Sequence, residues 1–190
     1  TAYIAGTRYK LGDFTPYLYV TDDYGKNWKL ITDGIKDEHF TRVLRSDKVN
    51  KNILYAGTET GMYISYDRGN SWNEFQKNLP IVPITDLTIK DNSLIVATQG
   101  RSIWMIDDLT VIHQLTSSTE EAKLYKPKDS YRMRGAGGRK SLTAGTNLPN
   151  GVIIHYFLPN FDKDNDQVKV SIHSTDGTLI KEFSNKSKEN

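Results

Sequence analysis

Short runs of alternating apolar and polar residues, separated by turn residues, fill the first 116 positions of the chain. Val, Ile, Tyr and Thr dominate these runs, and Gly, Asn and Asp lie between them. A period of two with β-branched and aromatic residues predicts strands bounded by turns. Four such runs follow one another in the best-defined stretch: FTRVLRSD (40–47), NILYAGT (52–58), GMYISYD (61–67) and SWNEFQ (71–76).

The same order of runs recurs along the chain. Three pairs match between the first and second copies: YIAGT (3–7) with YAGT (55–58), YLYVTDD (17–23) with GMYISYD (61–67), and WKLIT (28–32) with WNEFQ (72–76). A third, degraded copy supplies LIVATQG (94–100), SIWMIDD (102–108) and VIHQLT (111–116). Four antiparallel strands repeated every 40–45 residues are typical of β-propeller blades. An unrelated antiparallel sandwich with coincidentally spaced turns is the alternative.

The repeats do not make a closed ring by themselves. The first copy lacks a counterpart of the run at 40–47 and begins at its second strand. A propeller needs at least four blades, whereas this chain holds two copies and most of a third. We therefore expect residues 1–116 to be the final blades of a propeller, partnered by the remaining blades of a parent chain or by self-association.

The pattern changes after residue 116. A polar stretch predicts a linker over 117–123, and the region 124–190 then carries strand-like runs: GVIIHYFLP (151–159), VKVSIHS (168–174) and TLIKEFS (178–184). The pair Asp176-Gly177 predicts a type I′ hairpin turn between the last two runs. The sequence thus predicts an all-β chain, with a partial propeller followed by part of a small β-sandwich.

One motif, Ser/Thr-x-Asp-x-Gly-x-x-Trp, occurs twice at a spacing of 44 residues. Its members are Thr21, Asp23, Gly25 and Trp28 in the first copy and Ser65, Asp67, Gly69 and Trp72 in the second. A catalytic acid would be needed once per site rather than once per repeat. The recurrence therefore favours a structural turn over a catalytic device used twice.

Each residue type in the motif has a local structural role. The Asp carboxylate can accept backbone N–H groups, as in Asx turns, and the Gly adopts positive φ without strain. The Ser/Thr hydroxyl can hydrogen-bond across the hairpin. The Trp, at the start of the return strand, can bury its ring between blades with its N–H satisfied.

The motif resembles the Asp-box of bacterial neuraminidase (BNR) repeats, which occur in sialidases, xyloglucanases and the sortilin ectodomain. The stretches FTRVLRSDKVNKNILYAGTETGMYISYDRGNSW and LPIVPITDLTIKDNSLIVATQGRSIWMIDDLT look like large bacterial BNR-repeat proteins of the sortilin-like or glycosyl-hydrolase-like kind. The resemblance covers residues 1–116. Beyond it, LYKPKDSYRMRG and GTNLPNGVIIHYFLP look like the Ig-like segment that follows the last blade in such proteins.

The resemblance implies an exported bacterial protein, periplasmic or extracellular, whose Asp-boxes lie away from the active face. Because Asp-boxes occur in enzymes and receptors alike, it leaves the chemistry open. We expect a non-catalytic binding or scaffolding segment with a protein or glycan ligand. The alternatives are the last part of a glycoside hydrolase whose carboxylates lie in blades outside this chain, and a peptide receptor like sortilin.

The residues themselves supply no catalytic set. No arginine triad of the sialidase kind is spaced in the chain, and no two carboxylates are placed to face each other across a sugar. The chain has no cysteine, and its four histidines are dispersed, so we predict neither a metal site nor a cofactor.

Charge and hydropathy limit the partners further. The chain has 25 basic and 23 acidic residues, which argues against a nucleic-acid ligand. The basic stretch from Lys123 to Lys140 is expected to be a solvated linker. No apolar run approaches the roughly 20 residues of a membrane span. Aromatic residues are the remaining signal: Tyr9, Phe14 and Tyr17 lie in the insertion RYKLGDFTPY. They can pack this loop onto its neighbour, or they can contact a ligand, and the insertion is the best candidate for a recognition site.

Overall fold

The computed structural model describes residues 1–116, 120–131 and 151–186, and its regular structure is almost entirely β. The predicted all-β class is confirmed. Contacts divide the chain into two units. The first holds the described residues within Thr1–Thr119 and Leu124–His155, and the second those within Glu120–Lys123 and Tyr156–Asn190.

Three antiparallel sheets, here called blades 1 to 3, build the first unit. Blade 1 contains β1 (Ala2–Arg8), β2 (Asp13–Thr21) and β3 (Lys29–Leu30). Blade 2 contains β4 (Thr41–Ser46), β5 (Leu54–Thr58), β6 (Gly61–Ser65) and β7 (Asn73–Glu74). Blade 3 contains β8 (Ile84–Lys90), β9 (Ser93–Thr98) and β10 (Ile103–Ile106). In each blade, strands adjacent in sequence are adjacent in the sheet.

The strand register confirms the repeat. In blade 1, Val20 pairs with Lys29, and in blade 2 the residues 44 positions later, Ile64 and Asn73, form the same pair. Corresponding positions therefore occupy corresponding places in the two sheets. This equivalence allows residues of one blade to be compared with their counterparts in the next.

Two apolar seams join the blades, because alternate side chains of each strand point to opposite faces of its sheet. The seam between blades 1 and 2 is formed by Leu18, Ile31, Ile35, Leu44, Leu54, Ala56, Tyr63 and Trp72. The seam between blades 2 and 3 is formed by Val43, Ile53, Tyr55, Met62, Ile64, Phe75, Ile84, Leu87, Ile89, Leu94, Val96 and Leu109. Blade 2 is thus buried on both faces.

Blade 3 departs from the prediction at its last strand. The run 111–116 forms no strand, and Ile112–Gln114 is a 3-10 helix instead. Asp108 accepts hydrogen bonds from the N–H and hydroxyl of Thr110 (2.9 and 2.6 Å), which turns the chain away from the sheet. The side chain of Leu109 is fully buried at this turn, and His113 N–H donates to the Leu109 carbonyl.

The predicted insertion in blade 1 is shorter than the sequence indicated. It consists of the 3-10 helix Tyr9–Leu11 and Gly12, which ends that helix in the left-handed region at φ 75°. Phe14 and Tyr17 therefore belong to β2 rather than to a loop. Register between β1 and β2 shifts between Gly6 and Arg8, where the helical turn is accommodated.

The second unit contains a hairpin of β13 (Lys169–His173) and β14 (Leu179–Ser184), as predicted. Its turn is not type I′, because only Gly177 has positive φ (87°); Gly177 N–H donates to the Ser174 carbonyl instead. Asp176 and Gly177 thus close a longer, bulged turn.

Two further strands are short: β11 (Lys123–Leu124) and β12 (Tyr156–Phe157). The strand predicted over 151–159 is reduced to the two residues of β12. Residues 117–119 of the predicted linker and 132–140 of the basic stretch lie outside the described residues. The linker at 117–123 and the sandwich over 124–190 stay predictions.

Candidate binding surface and the Asp-box turns

The strand order places the two sets of predicted site residues at opposite ends of the sheets. The Asp-box turns follow β2 and β6 at their C-terminal ends. The connection of β1 to β2 and the turn between β5 and β6 lie at the other end.

In the first Asp-box the carboxylate is fully engaged within its own turn. Asp23 Oδ1 accepts the Thr21 hydroxyl (2.7 Å) and the Asn27 N–H (2.9 Å), while Oδ2 accepts the Asn27 amide (2.7 Å). Thr21 Oγ1 accepts the N–H of Gly25 (3.0 Å). These bonds, led by that from the Asn27 backbone and followed by that from the Thr21 hydroxyl, lower the pKa of Asp23 to about 2.

The second Asp-box repeats this arrangement. Asp67 Oδ1 accepts the Ser65 hydroxyl (2.8 Å) and the Ser71 N–H (2.9 Å), Oδ2 accepts the Ser71 hydroxyl (2.6 Å), and Ser65 Oγ accepts the Gly69 N–H (2.8 Å). Burial favours the neutral form of the Asp67 carboxyl, but the bonds from Ser71 and Ser65 outweigh it, so its pKa lies below the usual value.

Two details of the turns differ from the sequence expectation. The Ser/Thr hydroxyl does not bond across the hairpin; it bonds to the carboxylate and to N–H groups of the same turn. Asn27 and Ser71, two positions after the Gly, supply donors that the motif did not predict. Their common position in the two copies is the signal that identifies them.

The two motif tryptophans have different surroundings. Trp72 is 4% exposed and its Nε1–H donates to the Ile31 carbonyl of blade 1 (2.8 Å), so it lies in the seam between blades. Trp28 is 40% exposed, contrary to the expected burial. The reason is its place in blade 1, on the sheet face that blade 2 does not cover.

At the opposite end, an arginine–aromatic cluster is formed by Tyr9, Phe14, Phe40, Arg42 and Glu59. The Tyr9 and Phe40 rings stack at 5.2 Å between centroids, and Phe14 lies 6.0 Å from Phe40. The Arg42 guanidinium lies 5.2 Å from the Phe40 centroid and 5.7 Å from that of Tyr9. Its Nε and Nη2 each lie 2.6 Å from Glu59 Oε2.

Of the three predicted binding residues, the cluster contains two. Tyr9 and Phe14 are 37% and 47% exposed, while Phe40 beneath them is 4% exposed. Tyr17 lies apart from them. Its hydroxyl donates to Asp13 Oδ2 (2.8 Å), and its ring stacks on that of Tyr19.

Thr41 fixes the base of the cluster, although its sequence context did not predict this role. Its side chain is fully buried, and its Oγ1 lies 2.8 Å from the Tyr17 carbonyl and 3.1 Å from the Gly6 carbonyl. It also accepts the Tyr17 N–H (3.1 Å). Thr41 thereby ties β4 of blade 2 to blade 1 directly beside Phe40 and Arg42. No local pattern indicates this contact.

The described residues contain no group of three or more His, Cys, Asp or Glu that could hold a metal ion. In the same part of the chain, none of the helices has the length and apolarity needed to cross a membrane.

Comparison with known protein families assigns the fold. The family model Sortilin-Vps10, described as "Sortilin, neurotensin receptor 3", matches residues 17–134, which is more than half of the 190 residues. The chain therefore belongs to the Sortilin-Vps10 family of β-propeller proteins. No curated protein matches the chain.

Proposed function

We propose that this chain is a non-catalytic binding segment of a larger, exported bacterial Asp-box propeller protein, and that the arginine–aromatic cluster contacts its ligand. The observation that carries the proposal is the exposure of Tyr9 and Phe14 above a buried Phe40. The description of the family as a receptor supports a binding role.

The side chains of the cluster are held in place by contacts with one another. Stacking on Phe40 and the Arg42–Glu59 ion pair restrict the rings before any ligand arrives, so little side-chain entropy is lost on binding. Exposed aromatic rings on a fixed base are typical of the residues that contribute most to protein interfaces.

A protein ligand fits this surface better than a glycan. Sugars need several placed hydrogen-bonding groups beside the aromatic ring. In the cluster the two charged side chains, Arg42 and Glu59, are already bonded to each other at 2.6 Å. The exposed area that remains is mainly ring surface, which suits an apolar side chain.

The carboxylates of the Asp-boxes support a structural role over catalysis. The carboxylate oxygens of Asp23 and Asp67 accept hydrogen bonds from donors of their own turn. Their low pKa values keep them ionised, unlike a general acid, whose pKa is raised. The proposal also includes a periplasmic or extracellular location for the protein and an Ig-like segment after the blades. The remaining blades of the parent chain are its proposed partners.

The test is a ligand screen with a random-peptide display library and a glycan array, using the 190-residue chain. The double variant Tyr9→Ala/Phe14→Ala is expected to weaken binding of selected ligands by at least about tenfold, since two contact rings are lost. Tyr24→Ala is the matched control, because Tyr24 is a fully exposed tyrosine at the other end of blade 1.

Equal binding by the double variant and the control would contradict the proposed site. Selection of glycans alone would replace the protein ligand with a sugar. Turnover of aryl glycosides by the parent protein would instead support the alternative, a glycoside hydrolase with its carboxylates in other blades. Circular dichroism of each variant checks that the blades remain folded.

A further inference from the structure

The chain enters blade 2 through a tight turn at residues 36–39, between β3 and β4. The His39 N–H donates to the Lys36 carbonyl (3.2 Å), and Glu38 between them has positive φ (69°). This backbone conformation is unfavourable for a residue that carries a Cβ, so it persists only where surrounding contacts hold it. The turn therefore depends on contacts outside its own residues.

One buried tyrosine of blade 2 provides such contacts. Tyr63 of β6 is 1% exposed and lies in the seam between blades 1 and 2. Its hydroxyl oxygen accepts the Lys36 N–H (3.4 Å) and lies 2.8 Å from His39 Nδ1, and the His39 and Tyr63 rings meet edge to face at 5.9 Å between centroids. The hydroxyl proton can donate to Nδ1 only while that nitrogen carries no proton, as in a neutral imidazole with its proton on Nε2.

His39 directly precedes Phe40, whose buried ring supports the arginine–aromatic cluster. The Phe40 carbonyl accepts the Glu59 N–H (3.1 Å), and the next residue, Thr41, is bonded to carbonyls of blade 1. The backbone at Phe40 is thus fixed by Thr41 on one side and by His39 on the other. A movement of His39 would therefore reach the ring against which the exposed rings of the cluster pack.

The titratable side chains around the His39 imidazole come from the turn and from β6 and β7. Lys36 and Glu38 belong to the turn and Tyr63 to β6, while Glu74 of β7 forms an ion pair with Lys36. Burial and the positive charge of Lys36 lower the pKa of His39, and the opposing effects of Glu74 and Glu38 are smaller. His39 is therefore mainly neutral at neutral pH, and the midpoint of its protonation lies below the ordinary value of 6.5.

Protonation of His39 is incompatible with its bond to Tyr63. An imidazolium has an N–H on both ring nitrogens and cannot accept the Tyr63 hydroxyl. That hydroxyl would be left without its acceptor on a buried side chain, which is costly. The new positive charge would also lie in a partly buried place beside Lys36. Both effects favour a form in which the turn separates from Tyr63.

We propose that neutral His39 is a positioning residue for the arginine–aromatic cluster and that its protonation weakens ligand binding there. The inference rests on the proposed function and adds to it a control by pH. Its only chemical step is the transfer of one proton from solvent to His39 Nδ1. Couplings of this kind typically change an affinity by about 5–150-fold.

Nuclear magnetic resonance of the free 190-residue chain tests the positioning. Histidine, tyrosine and phenylalanine side chains are labelled with carbon-13 and followed from about pH 7.5 to about pH 5.0, the range in which histidine titrates. We expect the Tyr9 and Phe14 resonances to shift with the same midpoint as those of His39. In His39→Gln, whose side-chain oxygen can accept the Tyr63 hydroxyl but does not titrate, the ring resonances should not shift.

A peptide selected from the display library at about pH 7.5 measures the effect on binding by fluorescence anisotropy. Its affinity for the wild-type chain should fall at least about fivefold by about pH 5.0, whereas its affinity for His39→Gln should change less than about twofold. His155→Gln is the matched control, because it removes an exposed histidine outside the cluster and should keep the wild-type fall. Tyr63→Phe removes the partner hydroxyl and should bind weakly at both pH values, which provides a second test if His39→Gln does not fold.

The proposal is overturned if the Tyr9 and Phe14 rings do not titrate with His39, or if affinity falls equally in wild type and His39→Gln. Peptide binding that does not change with pH would reject the role of His39 but keep the proposed function. If the library yields no peptide at the higher pH, the proposed function fails, and the ring titration still decides whether His39 positions the cluster. Circular dichroism at both pH values checks that each variant is folded.

Discussion

Replacement of the two Asp-box tryptophans tests whether the repeat is held together by its seams. Trp72 and Trp28 occupy the same motif position 44 residues apart, yet Trp72 is 4% and Trp28 40% exposed. Because the sequence context is matched, any difference between Trp72→Ala and Trp28→Ala reports the contact between blades rather than the turn itself.

The magnitude follows from burial. Truncation of a buried tryptophan to alanine costs about 3–5 kcal/mol of unfolding free energy, because both the transfer term and a cavity contribute. Trp28 leaves water only in part and opens no closed cavity, so we expect about 2 kcal/mol or less for Trp28→Ala. The free energies of unfolding of the two variants should therefore differ by at least about 1 kcal/mol.

A third variant separates the hydrogen bond from the packing. Trp72→Phe keeps an aromatic ring but removes the Nε1–H, which leaves the Ile31 carbonyl without its donor. An unsatisfied buried acceptor costs about 1–3 kcal/mol, to which a small loss of packing is added. Trp28→Phe, which removes no hydrogen bond found among the described residues, should cost less.

The assay is urea unfolding followed by far-ultraviolet circular dichroism, since tryptophan fluorescence would itself change. Unfolding free energies are extrapolated with a common slope, after checking that the slopes agree. Equal losses for Trp72→Ala and Trp28→Ala would refute the reasoning, because the ring of Trp72 would then contribute no more between blades than a half-exposed ring does at the surface.

Three further predictions concern the turns and the blade contact. Gly25 and Gly69 both have positive φ (85° and 90°), but a Cβ on Gly69 would meet Ile31 Cδ1 at 2.6 Å. Gly69→Ala should therefore lower the thermal midpoint more than Gly25→Ala, and equal shifts would contradict this. Because folding lowers the pKa of Asp23 from 3.8 to about 2, its stabilisation is full above pH 3.8 and lost as pH falls towards 2. In urea titrations at several pH values, Asp23→Asn should lack that part of the acid dependence; an unchanged profile would be contrary to expectation. Thr41→Val, which removes the buried hydroxyl between blades 1 and 2, should cost about 1–3 kcal/mol in the same assay, and a neutral effect would show that these bonds add nothing.

The parts of the fold that the sequence predicted are those that local contacts determine. The Asp-box bonds run between residues two or four positions apart, so the Asp and Gly of the motif predicted a hydrogen-bonded turn, although the motif did not indicate the donors Asn27 and Ser71. The arginine–aromatic cluster could not be predicted from local residue patterns. Arg42 reaches Glu59 across two strands, and Tyr9 meets Phe40 only because blades 1 and 2 pack together. Such contacts leave no periodic signal.

The prediction of a fourth strand in blade 3, over residues 111–116, was wrong for a related reason. A short apolar run can form a strand or a helical turn, and periodicity alone does not decide between them. Burial of Leu109 and the Asp108–Thr110 bonds decide it here. The 3-10 helix is then held to blade 2, where His113 Nε2 lies 3.0 Å from the buried carboxylate of Asp47.

The Asp-box and the seam are therefore separable features of each repeat. The turn bonds are the same in blades 1 and 2, although only one of the two tryptophans is buried, so the turn does not require the neighbouring blade. The seam does require it, because the acceptor of the Trp72 N–H is the Ile31 carbonyl of blade 1. Among the described residues, blade 3 has three strands, whereas blade 2 has four.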